Sequence, residues 1–265
     1  MSKQELNQMG SAKVYLVEKH GISFIEKQQV EQVEVAFYQH QAKPFNELGI
    51  LVPELIDYDH QQNTLRIEYI PHSVNQEFLL EEPRVIEQLA KIHRLSPTSN
   101  GVYHPHQWTQ PATSQALNTL KLDAKTERFF YQLQEQSGPL FNAKNLISGD
   151  TNAGNWGRRD NGDLVLFDWE RFSTGHIAID LAPLVKGMGT FEDYLGVAHT
   201  YTKTAKQGDA SNNLARTIAI AKTWMVVEVV NILVSRQNPQ TSKYIDWFKQ
   251  TLPKWAKDLS TQMTN

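Results

Sequence analysis

The 265-residue chain has no cysteine, which excludes disulfides, thiolate metal centres and a cysteine nucleophile and fits a reducing compartment. Net charge is also small. Its 26 Lys and Arg against 29 Asp and Glu leave −3, which offers no electrostatic footprint for nucleic acid. Long apolar runs are missing as well: the longest, residues 224–234, is interrupted by Glu228 and Asn231 and falls short of the ~20 residues a membrane-spanning helix needs. Residues 1–13 are polar and lack the apolar core of an export signal, so the expectation is a soluble, cytoplasmic protein. There is no internal repeat, low-complexity tract or linker, and the length suits one large domain or two lobes.

What is there centres on Ser148-Gly149-Asp150-Thr151-Asn152-Ala153-Gly154-Asn155, followed by Leu166-Phe167-Asp168-Trp169-Glu170. Between them, Asn161-Gly162 flanked by apolar runs predicts a β-hairpin. With those two residues at the centre of a type I′ turn, Asp160 faces Asp163, and the same register sets Asn155 opposite Asp168. Opposed residues have Cβ atoms about 4.5–5.5 Å apart, near enough for an amide oxygen and a carboxylate to share one cation. All-oxygen ligation suits Mg²⁺ better than Zn²⁺. Asp150, on the loop entering the hairpin, is placed to accept a proton from a substrate hydroxyl or to orient it. Taken singly, a Gly-Asp, an Asn-Gly and an Asp-x-Glu are ordinary turn and surface chemistry; their order and spacing give them weight.

This constellation resembles the aminoglycoside phosphotransferase and choline kinase family of kinase-like phosphotransferases. The matching residues are Gly149-Asp150, Asn155, Phe167-Asp168-Trp169-Glu170 and Asp180-Leu181-Ala182, while Ser148 stands where the family usually has His. The resemblance implies an α+β, protein-kinase-like two-lobed fold. A small antiparallel-sheet lobe over residues 1–71 would bind nucleotide, and a mainly helical lobe over 72–265 would hold the catalytic loop and substrate cleft. It implies Asp150 as the catalytic base, with Asn155 and Asp168 as Mg²⁺ ligands. Lys27, read as a strand-end lysine that contributes little packing, would hold the α and β phosphates, paired with a helix glutamate. Glu34 is the choice because Phe37-Tyr38 follow it; Glu31 is the alternative. Glu68-Tyr69-Ile70-Pro71 resembles the hinge that meets adenine, with donors and acceptors from Glu68 and Ile70 because Pro71 has no N–H; an edge strand ending at proline is the other reading.

Along the chain, alternation predicts strands over 13–17, 22–27, 51–58 and 64–70, and 3.6-residue periodicity predicts a helix over 30–41. Gly10-Ser11 is read as the tip of a hairpin preceding residue 13. Further helices are expected over 85–95, one or two within 114–133, one opening at Asp180 as its cap, and three near 191–204, 214–236 and 242–259. His93 is given a structural role, and His104 and His106, two apart around a proline, lack paired zinc-ligand spacing.

The function expected is transfer of the γ-phosphate of ATP, with GTP as the other donor, to a hydroxyl of a small molecule. A choline-, thiamine- or sugar-like alcohol is favoured over an aminoglycoside, because clustered carboxylates are few while Trp169, Tyr194, Tyr201 and Trp224 are available to meet a single cation. Glu170, alternating to the face of Asp168, joins Trp169 and Trp224 as a candidate for substrate contact. The alternative, from Ser148, is a catalytically silent nucleotide- or partner-binding module on the same fold.

Overall fold

The computed structural model describes residues 2–6, 12–208 and 210–263, so the expected hairpin tip at Gly10-Ser11 lies outside the described residues. The strands it would join do pair: β1 (Ser2–Leu6), to which the sequence reading gave no bounds, runs antiparallel to β2 (Lys13–Lys19). β2 turns through His20-Gly21, both at positive φ, into β3 (Ile22–Gln28), the expected second strand. Helix α1 (Gln32–His40) follows, then the short α2 (Ala42–Glu47). β4 (Leu55–Asp59) and β5 (Thr64–Glu68) close around a turn in which the Asp59 carboxylate accepts the N–H groups of Gln61 and Gln62. Residues 51–54, expected to begin that strand, lie outside it, and Pro53 has no N–H to offer a ladder. The sheet order is β1-β2-β3-β5-β4.

Short strands and a series of helices follow the sheet. β6 (His72–Ser73) leads to α3 (Gln76–Glu81) and α4 (Pro83–Arg94), the latter with Glu82 as cap and Pro83 in its first turn. α5 (Gln110–Leu120) and α6 (Ala124–Glu135) are the expected pair, capped by Thr109 and Asp123, and α7 (Gly138–Asn142) follows. Next come β7 (Asn145–Ile147), β8 (Trp156–Arg158), β9 (Leu164–Leu166) and β10 (Ser173–Gly175). The chain ends in α8 (Ala178–Leu181), α9 (Phe191–Ala205), α10 (Ser211–Ser235) and α11 (Thr241–Met263). Asp180 does not cap α8, as had been expected: it lies inside the helix, fully buried, and Ile177 is the N-cap.

These elements form two compact units, and each is discontinuous in sequence: residues 1–105 with 145–174, and 106–144 with 175–265. The first holds the five-stranded sheet, α1 to α4, and the hairpin β8–β9, which pairs through β8 with β6. Grouped by contacts, residues 145–174 thus belong to the first unit, so these units do not coincide with the lobes 1–71 and 72–265 expected from the sequence. The second unit is all helical around α10. That helix is long and apolar enough to cross a membrane by length and composition. Within its unit it contacts α5, α6, α8, α9 and α11, and it buries Leu214, Ile218, Trp224, Val227 and Val230 among others. Apolar character nearly all round is what a central core helix requires.

Candidate active site

Lys27, the loop that carries Asp150 and the hairpin all belong to the first unit. Lys27 is not a loose strand end, as the sequence suggested. It sits within β3 directly opposite Val14 on β2 and Leu65 on β5, so it points to the buried face with them and is only 4 % exposed. A buried ammonium needs partners, and it has two: Glu34 Oε1 and Asp168 Oδ1, each at 2.6 Å. Glu34 comes from the inner face of α1, whereas Glu31 is that helix's exposed N-cap, so the lysine meets Glu34. Burial by itself would lower the lysine's pKa, but the two carboxylates outweigh it and hold the group well above its ordinary value. One face of the site is thus a cation fixed between two acidic side chains.

The loop at residues 149–155 is held by side chains bonded to its backbone carbonyls. Gly149 at φ +82 supplies a left-handed turn, and Asp150 follows, half-buried. Asn152 donates its amide to Asp150 Oδ1 at 2.6 Å, and Asn155 donates to the Asp150 carbonyl at 3.0 Å. The Trp156 indole N–H reaches the Thr151 carbonyl, and Arg171 Nε reaches the Gly149 carbonyl. Burial pushes the Asp150 carboxyl above the ordinary carboxylate range, while Asn152 and the charge of Arg171 pull it back. Asn152 and Arg171 escaped the sequence reading. Their signal was adjacency: one lies two residues after Asp150, the other next to Glu170.

The hairpin forms, but one residue out of the expected register. Trp156 pairs with Leu166, Gly157 with Val165 and Arg158 with Leu164, so the position opposite Asn155 is Phe167, whose N–H donates to the Asn155 carbonyl. The cause is the turn. Only Gly162 has positive φ, +85°, and Asn161 does not, so the loop is the three-residue form closed by Arg159 and Asp163. Asn161 instead bonds Asp163 through both its amide groups. Asn155 ends a 3₁₀ turn and Asp168 sits at φ +65° beyond β9, so neither is a ladder residue. Glu170 likewise lies in a turn rather than on an alternating strand face, yet it remains close to Asp168: burial first, then that carboxylate, push it up to about 7.

At the proposed hinge, the Glu68 N–H is already held by the Glu54 carbonyl and its carboxylate by Arg159, Nε at 2.6 Å and Nη2 at 2.8 Å. Ile70 lies past the end of β5, half-buried, with its Cγ2 against Gly157. The two tryptophans are corrected outright as substrate contacts. Trp169 is fully buried, stacked on Phe37 at 4.0 Å and 6°, with its indole N–H on the Leu166 carbonyl. Trp224 is buried in the second unit with its indole N–H on the Gln107 carbonyl, and Tyr194 and Tyr201 are buried there too. A cation–π contact needs an open ring face, and these are core residues.

The donors fit a hard divalent cation. The amide nitrogen of Asn155 is fixed on the Asp150 carbonyl, while among the described residues nothing donates to its Oδ1. Asp168, Glu170 and Asp150 add carboxylates whose mutual repulsion a divalent ion would offset. Among the described residues no group of three His, Cys, Asp or Glu is gathered into a metal cage. Mg²⁺ is commonly held by one or two protein carboxylates, with water and phosphate completing its shell.

The model of the phosphotransferase enzyme family matches residues 8–210. No curated protein matches. Among solved structures, the choline kinase LicA from Streptococcus pneumoniae is similar at 16% identity, covering 97% of this chain and 93% of that one with a TM-score of 0.63; LicA is also known in complex with AMP. A macrolide 2′-phosphotransferase type I matches at 16% identity, 94% and 90% coverage and a TM-score of 0.61. A thermostable mutant of the aminoglycoside phosphotransferase APH(4)-Ia matches at 9% identity, 97% and 94% coverage and a TM-score of 0.61. Identities this low carry the fold alone, and that fold is kinase-like: an antiparallel sheet in the N-terminal region and a mostly helical remainder.

Proposed function

Because the chain belongs to the phosphotransferase enzyme family, we propose that it moves the γ-phosphate of ATP, or of GTP in its place, to a hydroxyl of a small molecule. The observation that carries this reading is Lys27 held between Glu34 and Asp168 in the unit that also contains Asp150. In this reading Lys27, oriented by Glu34, holds the nucleotide phosphates, and Ile70 with the Glu68 carbonyl meets the base. Asp150 orients the acceptor hydroxyl and takes its proton as the phosphoryl group arrives, while Asn152 and Asn155 fix the loop that carries it. Asn155 and Asp168 would hold Mg²⁺, which supplies charge neutralisation across the phosphate oxygens. Residues 1–71 and 72–265 are the functional lobes of this proposal, and the cytoplasm is its compartment.

The acceptor proposed is a small neutral or singly charged alcohol of choline, thiamine or sugar type. The buried aromatics no longer support it, so it rests on the scarcity of clustered carboxylates beyond residue 170, where Glu192-Asp193 are adjacent but Glu228, Asp246 and Asp258 are scattered among lysines and arginines. Incubation with γ-labelled ATP and a metabolite mixture tests the activity: label on an acceptor supports it, whereas free phosphate alone indicates a hydrolase and neither product a silent module. Efficient labelling of kanamycin-like compounds with choline, thiamine and sugars ignored would refute the acceptor class.

A further inference from the structure

We propose that β1 is a docking edge for a second copy of this chain, joined antiparallel and two-fold through Ser2–Leu6 so that the two sheets run on as one. β1 ends the sheet order β1-β2-β3-β5-β4, and β2 takes up only one of its two edges. Its residues are exposed from Ser2 to Glu5, with Leu6 half-buried. Among the described residues, no backbone hydrogen bond involves β1 outside its ladder with β2. The N–H and C=O groups of its outer edge therefore face water, and such a row is a template for another strand.

The side chains select both the partner and the register. With two copies centred on Gln4, Ser2 faces Leu6, Lys3 faces Glu5 and Gln4 faces its own copy, so the whole strand pairs and opposite charges meet on both sides of the axis. Centring the pair on Lys3 or on Glu5 instead sets like charge directly against like charge. Glu5 is exposed and, among the described residues, has no ion pair. Lys3 bonds Glu26 Oε1 at 2.7 Å and lies over the Tyr15 ring, yet its side chain stays 34% exposed. Glu26 keeps Arg66 at 3.0 Å and Gln28 at 3.1 Å, so Lys3 can turn to Glu5 of the second copy without stranding a carboxylate. The other edge of the sheet lacks this complementarity. β4 is interrupted by a register shift between Leu55 and Asp57, and two copies centred on its middle residue would set Asp57 against Asp57. A β1-to-β4 contact would also repeat without closing, whereas β1 to β1 closes as a dimer. One short strand a side buries less than a standard interface, so the dimer is weak and reversible.

Sedimentation velocity over about 5–500 µM protein tests the pairing. Expected is a monomer–dimer equilibrium in the wild type that weakens as salt rises. Glu5→Lys, at an exposed position apart from the nucleotide and acceptor residues proposed above, turns both opposite-charge pairs into like-charge pairs and should weaken association roughly tenfold. The register has its own readout. Because the chain has no cysteine, Gln4→Cys introduces a single thiol beside the two-fold axis. Mild oxidation should link that variant into a disulfide dimer roughly tenfold faster than Ile56→Cys, an exposed position on β4. A wild type that stays monomeric over the whole range, an unchanged association constant in Glu5→Lys, or cross-linking of Gln4→Cys no faster than that of Ile56→Cys overturns the proposal.

Discussion

Replacing Lys27 with Met keeps much of the side-chain volume but removes the cation that Glu34 and Asp168 share. The Glu34 side chain is 1% exposed and that of Asp168 16%, so the loss leaves at least one buried carboxylate without its counter-charge. Breaking a buried pair in this way costs about 3–5 kcal/mol, which at about 3 °C per kcal/mol for a chain of this size lowers the melting temperature by roughly 10 °C. Because the folded pKa of Lys27 is raised, its contribution is fully present below the ordinary lysine value of 10.5 and is lost only as pH climbs through the folded value. The deficit of the variant should accordingly be constant from pH 7 to 9. The double variant Lys27→Met/Glu34→Gln removes the stranded charge too and should recover at least half of the loss. Calorimetric melting of wild type and both variants decides the matter. A single variant within about 1 kcal/mol of wild type, or a double variant no better than the single, refutes the reasoning.

Asp150→Asn should leave nucleotide affinity nearly intact and depress turnover by ~10²–10⁴, and near-normal turnover in steady-state assays would remove its role as base. Trp224→Ala should cost about 3–5 kcal/mol in stability, read by denaturant melts, while the KM for acceptor stays within twofold below the melting range; a large KM rise would return that ring to the substrate. Lys222 donates to the Ala182 and Val185 carbonyls, and burial lowers its pKa to about 8. Between that value and 10.5 the unfolded chain binds more protons than the folded one, so stability rises with pH across the window, and Lys222→Met should abolish the rise in melts from pH 7.5 to 10.

The elements legible in the sequence were those whose signal is local. The periodicity of Val33, Phe37 and Tyr38 marked α1, and the apolar positions from Leu214 to Leu233 marked α10. β1 was illegible because its residues are mostly exposed and polar, and only pairing with β2 makes them a strand. The hairpin was seen but its register was not: Asn-Gly serves both two- and three-residue loops, and the choice follows from the φ of Asn161, which composition does not fix. The Lys27–Glu34 pair followed from resemblance, but the bridge from Lys27 to Asp168 joins positions 141 residues apart and has no local trace. The tryptophans were misjudged because residue type tells that a ring is apolar, not whether its face is open.

That separation of 141 residues also sets an order of events during synthesis. At about 5–20 residues per second a ribosome needs roughly 7–28 s to carry the chain from Lys27 to Asp168. Throughout that interval the sheet and α1 can assemble, yet the lysine has only Glu34, and residues 106–144 of the other unit emerge before the first unit is complete. A nascent chain stalled anywhere before residue 168 therefore holds the lysine on a single carboxylate in an unfinished core. Full protease resistance of the first unit should appear only as the segment ending at residue 174 clears the exit tunnel.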